Sequence, residues 1–150
     1  MRVFSASVLL LATTFAAGCA STATCDACKN AQAVVASVAA QNPDCTRLSL
    51  HCSMDGGTRC CASTDAARVG KSSDKEDGEA MQTGRPIVLD EGGAFDVTVP
   101  IRAQAGRHMS TCGVTLKAAG MTREQAVAKA TAIATSVEAG VKGCGDCCCK

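Results

Sequence analysis

The sequence predicts an α+β domain built on an antiparallel sheet. Three observations carry this. Apolar residues recur at helical spacing near each end of the chain, segments between them alternate apolar and polar with period two, and glycine-rich turns separate those segments. The order is helix, two strands, a polar helical connection, three strands and a helix.

The first helix is expected over Asp26–Gln41, where Ala31, Val34, Val35 and Val38 form one stripe and Asn42-Pro43-Asp44 stops the run. Cys45 to Cys52 alternates, with Thr46, Leu48, Leu50 and Cys52 on one face and Arg47, Ser49 and His51 on the other, as in a half-buried strand. Asp55-Gly56-Gly57 is a turn, and Arg59 to Ser63 is the returning strand. The connection over 64–83 is charged around Lys71-Ser72-Ser73-Asp74-Lys75-Glu76-Asp77 and predicts a short helix from Asp74 to Thr83, closed by Gly84. Its acidic run lacks calcium-loop spacing and is expected to be a solvated helix start.

Pro86 to Asp90 is a strand, and Glu91-Gly92-Gly93 turns it into the clearest strand of the chain. There Phe95, Val97, Val99 and Ile101 alternate with polar residues and Pro100 implies an edge position or bulge. Ala105-Gly106 leads to a last strand, Arg107 to Lys117, with His108, Ser110, Cys112, Val114 and Leu116 on one face. Thr122 and Gln125 have capping-box spacing at the start of a final helix, whose stripe is Ala126, Ala130, Ile133, Ala134, Val137 and Val141, with Gly140 near its C-cap.

Residues 1–18 have the shape of a secretory signal: Arg2, a mostly apolar run from Val3 to Phe15, then Ala16-Ala17-Gly18-Cys19. That ending resembles the bacterial lipobox, in which cleavage precedes a lipidated Cys. An ordinary signal cut after Ala17, with Cys19 free, is the alternative. The resemblance implies lipidation of Cys19, a membrane-surface anchor and, without an Asp after the Cys, the periplasmic side of the outer membrane. The chain then divides into a signal (1–18), lipidated Cys and tether (19–29), a single domain (30–141) and a Cys-rich tail (142–150).

Cleavage removes Phe4, Phe15 and Arg2, leaving Phe95 as the single aromatic and equal numbers of acidic and basic residues. Single-strand nucleic-acid platforms need stacked rings and duplex binders need a basic field, so nucleic acid is excluded as a partner. Sugar clefts, usually lined by flat rings, are disfavoured too. No nucleophile elbow, phosphate loop, zinc-protease helix or haem-attachment motif is present, so no enzyme is expected.

The segment Ala62-Ser63-Thr64-Asp65-Ala66-Ala67-Arg68-Val69-Gly70-Lys71 is similar to the connecting segment of extracytoplasmic Cache-type, PAS-like sensor domains. Thr83-Gly84-Arg85-Pro86, Phe95-Asp96-Val97-Thr98-Val99-Pro100-Ile101 and Gly113-Val114-Thr115-Leu116 resemble later strands of that family. The resemblance covers about residues 30–118. It implies a PAS-like/Cache-like five-stranded antiparallel sheet with N- and C-terminal helices, and a small-molecule pocket between the sheet and the 64–83 segment. Tyr, Trp and the paired polar residues of the family's amino-acid pockets are missing, so ligand class does not transfer. No signalling module follows the domain in the sequence, so a separate envelope protein would read the bound state.

The chain has 12 cysteines. Cys25 and Cys28, and Cys144 and Cys147, form two CxxC units at the outer ends of the first and last helices. They suit either disulfides, favoured by export, or a four-thiolate Zn site. Cys60-Cys61 and Cys147-Cys148-Cys149 are adjacent and rarely bond to themselves without strain, so they pair elsewhere or hold a soft ion such as Zn or Cu. Cys52 and Cys112, on strands that the PAS-like order pairs, suit a cross-strand disulfide. With Met54 and His108 they would instead suit Cu(I). Two functions follow from these patterns: a lipid-anchored binder of a small ligand, or a soft-metal-handling envelope lipoprotein.

Overall fold

The computed structural model describes residues 26–54, 57–102 and 109–141, with side chains from Asn30 onward except those of Met54 and Met109. The elements are α1 (Asp26–Ala40), β1 (Cys45–Met54), β2 (Gly57–Ser63), a 3-10 turn (Ala66–Arg68), α2 (Lys75–Thr83), β3 (Ile87–Asp90), β4 (Ala94–Arg102), β5 (Met109–Lys117) and α3 (Arg123–Val141). The five strands form one antiparallel sheet in the order β2-β1-β5-β4-β3. The α+β class, the order of elements and the antiparallel sheet are those the sequence predicts, and the first and last strands pair. The helix already begins at Asp26, inside the stretch assigned to the tether.

One face of the sheet carries Leu48, Leu50, Cys52, Phe95, Val97, Val99, Ile101, Cys112, Val114 and Leu116, all buried against α1 and α3. The helices reach the sheet closely because their inner stripes are small: Ala31, Val35 and Val38 on α1, and Ala126, Ala130, Ala134 and Val137 on α3. Gly140 is not a cap. It lies within α3, where an added Cβ would stand 2.6 Å from a Val34 methyl, so its lack of a side chain lets the two helices meet.

Local signals set the element ends. The Asn42 side-chain amide donates to the Val38 carbonyl (2.8 Å), which also takes the Gln41 N–H (3.2 Å) at the end of α1. Gly84 closes α2 in the left-handed conformation at φ 68, with its N–H on the Ala80 carbonyl (2.9 Å). Thr122 and Gln125 form the expected reciprocal box: the Thr122 N–H donates to Gln125 Oε1 (2.8 Å) and the Gln125 N–H to Thr122 Oγ1 (3.3 Å). Pro100 lies beyond the end of β3, where β4 pairs only with β5. Its missing N–H thus costs the sheet no bond.

Two expectations for β1 need correction. Thr46 is not on the apolar face: register slips between Cys45 and Arg47, so Thr46 is the extra residue of a bulge and is exposed. The strand is also not half-buried, because Ser49 and His51 on the opposite face are each 3% exposed. What covers that second face is α2 and the chain leading into it. Along the outer edge of β2, Cys60 donates to the Lys71 carbonyl (3.0 Å) and accepts from the Gly70 N–H (2.8 Å), and the Ser73 N–H donates to Thr58 (2.9 Å).

Candidate functional site

The second face of the sheet is a lattice of small polar residues. Three cross-strand rows build it: Arg47–Thr115–Asp96, Ser49–Gly113–Thr98 and His51–Thr111–Pro100. Alternation along each strand puts these residues opposite the apolar core residues of the same strands. Beneath α2 they enclose a cavity of about 150 Å³, lined by Arg47, Ser49, His51, Thr98 and Gly113 of the sheet and by Arg68, Asp74, Glu76 and Asp77 of the 64–83 segment, among others.

Asp77 ties α2 to the sheet and is only 4% exposed. One carboxylate oxygen accepts the Thr111 hydroxyl at 2.5 Å. The other stands 3.1 Å from His51 Nδ1 and accepts the Asp74 N–H at 3.2 Å, closing the first turn of α2. His51 Nδ1 is also 2.7 Å from the Ser73 hydroxyl. Burial pushes the His51 imidazole below its ordinary value, and the Asp77 charge opposes this without reversing it. The ring is therefore neutral near pH 7. The expectation of a solvated acidic helix start thus fails at Asp77, whose carboxylate is turned inward toward Thr111 and His51.

Two ion pairs flank the cavity. Arg47 Nη2 meets Asp96 Oδ2 at 3.0 Å, and the Thr115 hydroxyl donates to the other Asp96 oxygen at 2.9 Å. Arg68 Nη2 meets Asp74 Oδ2 at 2.8 Å. Between them, Gly113 makes room for its cross-strand neighbour: a Cβ there would lie 3.0 Å from Ser49 Oγ. Ser49 and Thr98, 3% and 8% exposed, border it on both sides. Their hydroxyls make no side-chain hydrogen bond within the described residues, and neither oxygen is sealed from the cavity. A glycine in mid-strand weakens a sheet, so its usual reason is the close approach of something else.

The cysteines lie elsewhere. Cys19, Cys25, Cys144, Cys147, Cys148, Cys149 and His108 lie outside the described residues, and of Cys28 and Met54 only the backbone is described. Cys45, Cys60, Cys61 and Cys112 are free thiols, and Cys52 is buried in the apolar core. Register places Leu50, not Cys52, opposite Cys112. The β1–β2 register shifts at Leu50/His51, with Ala62 opposite Leu50 and Cys60 opposite His51, so Cys61 is the extra residue of a bulge. Cys61 joins the apolar core, with its thiol on the Leu50 carbonyl (3.3 Å), whereas Cys60 lies opposite His51. Burial pushes the thiols of Cys45, Cys60 and Cys112 up, which keeps them protonated and poor as nucleophiles or metal ligands. Among the described residues no three His, Cys, Asp or Glu side chains are grouped to hold a metal, and no cysteine lines the cavity.

Sequence reasoning singled out cysteines and passed over His51, Asp77, Ser49, Thr98 and Gly113. A signal was available. The face of β1 and β5 assigned to solvent carries Ser, His, Thr and Gly at its centre, where a solvated face usually carries Lys and Glu.

No protein-family model and no curated protein matches the chain. Among solved structures, one similar fold is the type II free methionine-R-sulfoxide reductase from Thermoplasma acidophilum, at 17% identity and TM-score 0.53, covering 79% of this chain and 94% of that one. Another is the Agobacterium tumefaciens repressor BlcR, at 12% identity and TM-score 0.51, covering 76% of this chain and 66% of the repressor. At such identities the likeness is one of fold: an enzyme and a repressor share this architecture with the present chain.

Proposed function

We propose that this chain is an exported, lipid-anchored binding domain of the PAS-like/Cache-like type, which captures a small polar ligand between its sheet and α2. The observation that carries the reading is the cavity floor, where two buried hydroxyls without a side-chain hydrogen bond among the described residues, Ser49 and Thr98, flank a glycine in the middle of β5. A cavity of about 150 Å³ lies below the roughly 300–1,000 Å³ of drug-sized sites, which suits a small metabolite. The lining offers hydrogen bonds and charge but no thiol, so the reading is one of capture rather than thiol chemistry. Cys19 carries the anchor to the outer membrane, and a separate envelope protein reads the bound state.

The test is mass spectrometry of small molecules released on denaturing the full chain purified from a bacterial envelope, beside the Thr98→Val and Gly113→Ala variants. A released compound that both variants lose supports capture. If the parent chain releases nothing specific, and no member of a broad metabolite panel raises its melting temperature, the reading is wrong. Anchoring is tested separately: Cys19→Ala protein that still fractionates with membranes would rule out the lipid.

A further inference from the structure

We infer that the cavity takes a small organic cation, a primary alkylammonium, in preference to an anion or a neutral molecule. The inference rests on the capture reading above and concerns the same site.

Charge around the cavity is unbalanced. Its lining holds Arg47 and Arg68 on one side of the ledger and Asp74, Glu76, Asp77, Glu91 and Asp96 on the other. Both arginines are already matched, Arg47 by Asp96 and Arg68 by Asp74. Three carboxylates remain. Asp77 accepts from the Thr111 hydroxyl and the Asp74 N–H, with His51 Nδ1 3.1 Å away, and neither hydrogen bond brings a cation to it. Glu76 has a side chain only 15% exposed, and the cation near it is Lys75 Nζ at 3.7 Å on a side chain 88% exposed. A pair so open to water contributes little. Glu91 has no ion-pair partner among the described residues.

An anion entering this field would meet excess negative charge over a low-dielectric floor, where repulsion is least screened. A cation would be drawn in by the same field. The floor independently points to a ligand with donors: the Ser49 and Thr98 hydroxyls, both more than nine-tenths buried and without a side-chain hydrogen bond among the described residues, present acceptor oxygens on either side of Gly113. An ammonium has three N–H donors for such oxygens and a carboxylate. No Phe, Tyr or Trp is among the described residues of the lining, where His51 supplies the one aromatic ring, so the lining lacks the rings that best select quaternary ammonium groups by cation–π contact. A divalent metal is disfavoured because no described group of three ligating side chains converges there.

The test is calorimetric titration of the full chain with 1,4-diaminobutane, succinate, glycerol and calcium chloride, each at low and high ionic strength. The diamine is expected to bind, with affinity that falls at high salt. Glu76→Gln should weaken it about tenfold, as loss of a charged hydrogen-bond acceptor does. Thr98→Val should weaken it less, with melting temperature unchanged. Binding of succinate or glycerol without the diamine overturns the cation inference and leaves capture standing. Calcium binding that Glu76→Gln abolishes, with no response to the diamine, also overturns it by making the rim a metal site. If none of the four probes binds to a chain that melts cooperatively, the inference is wrong. Capture then stands or falls on whether a compound is released from the purified protein.

Discussion

The two faces of the sheet are nearly equal in burial and opposite in chemistry. Leu48 and Leu50 are 0% and 3% exposed on one side, and Ser49 and His51 are each 3% exposed on the other. The first face meets two helices through small apolar residues and has the interlocked packing of a core. The second meets one short helix through hydrogen bonds, centred on Asp77, and retains a cavity. Burying polar groups is favourable only when each is satisfied, so the second face adds less to stability than its burial suggests. The fold thus divides its labour: α1, α3 and the apolar face form the core, and the polar face forms the floor of the cavity.

Mutations separate the two faces. Leu48→Ala, at the centre of the apolar face, is expected to cost about 2–5 kcal/mol in chemical denaturation, because the cavity it leaves cannot collapse between a sheet and two helices. A loss under 1 kcal/mol would mean that this face is not the core. Asp77→Ala should cost about 1–3 kcal/mol by stranding the Thr111 hydroxyl and the Asp74 N–H, and it should loosen α2 selectively, visible as faster amide exchange over Lys75–Thr83 than over β1 or β5.

His51 supplies the pH dependence of the polar face. Its folded value is lowered by burial, so the unfolded chain binds the proton more readily. Its contribution is therefore fully present above the ordinary imidazole value, about 6.5, and is lost as pH falls through the lower folded value. His51→Asn should flatten denaturation midpoints measured between pH 7 and 5. An unchanged slope would show that the ring is already charged in the folded chain.

Gly140→Ala tests the helix side of the comparison. Alanine normally strengthens a helix by up to about 1 kcal/mol over glycine. Here the new methyl meets Val34, so a loss of about 1–2 kcal/mol is expected instead. Adding Val34→Ala should recover part of it. The smallest effect belongs to Thr98→Val on the polar floor, expected within about 0.5 kcal/mol because its hydroxyl has no side-chain hydrogen bond among the described residues to lose. A large destabilisation there would mean that the hydroxyl serves the fold rather than a ligand.

Much of the architecture was legible in the residues alone. Helix stripes, strand alternation, the Thr122–Gln125 box and the Gly84 stop act over a few positions, and local periodicity reports them directly. Pairing of the first and last strands came from resemblance to a sensor fold rather than from any local pattern. The site was not legible for a related reason. Alternation says that Ser49 and His51 leave the apolar face, but not that another element returns to cover them. Asp77 reads as solvated because its neighbours Lys75 and Glu76 are charged, yet one helical position turns its carboxylate toward Thr111 and His51.

The cysteines show the same boundary. Sequence counts thiols and their spacing, and Cys60-Cys61 reads as one chemical unit. Cys61 is itself the extra residue of a bulge and joins the apolar core with Ala62, whereas Cys60 lies opposite His51. By itself the sequence determined the α+β class, the order of elements and which strand faces are apolar, since these follow from periodicities of two and 3.6 residues. Only the tertiary structure decided that the polar face is enclosed, that Gly113 makes room for Ser49 and that charge around the cavity is unbalanced. Those properties depend on residues from five separate elements meeting across long sequence distances, and no local pattern encodes such a meeting.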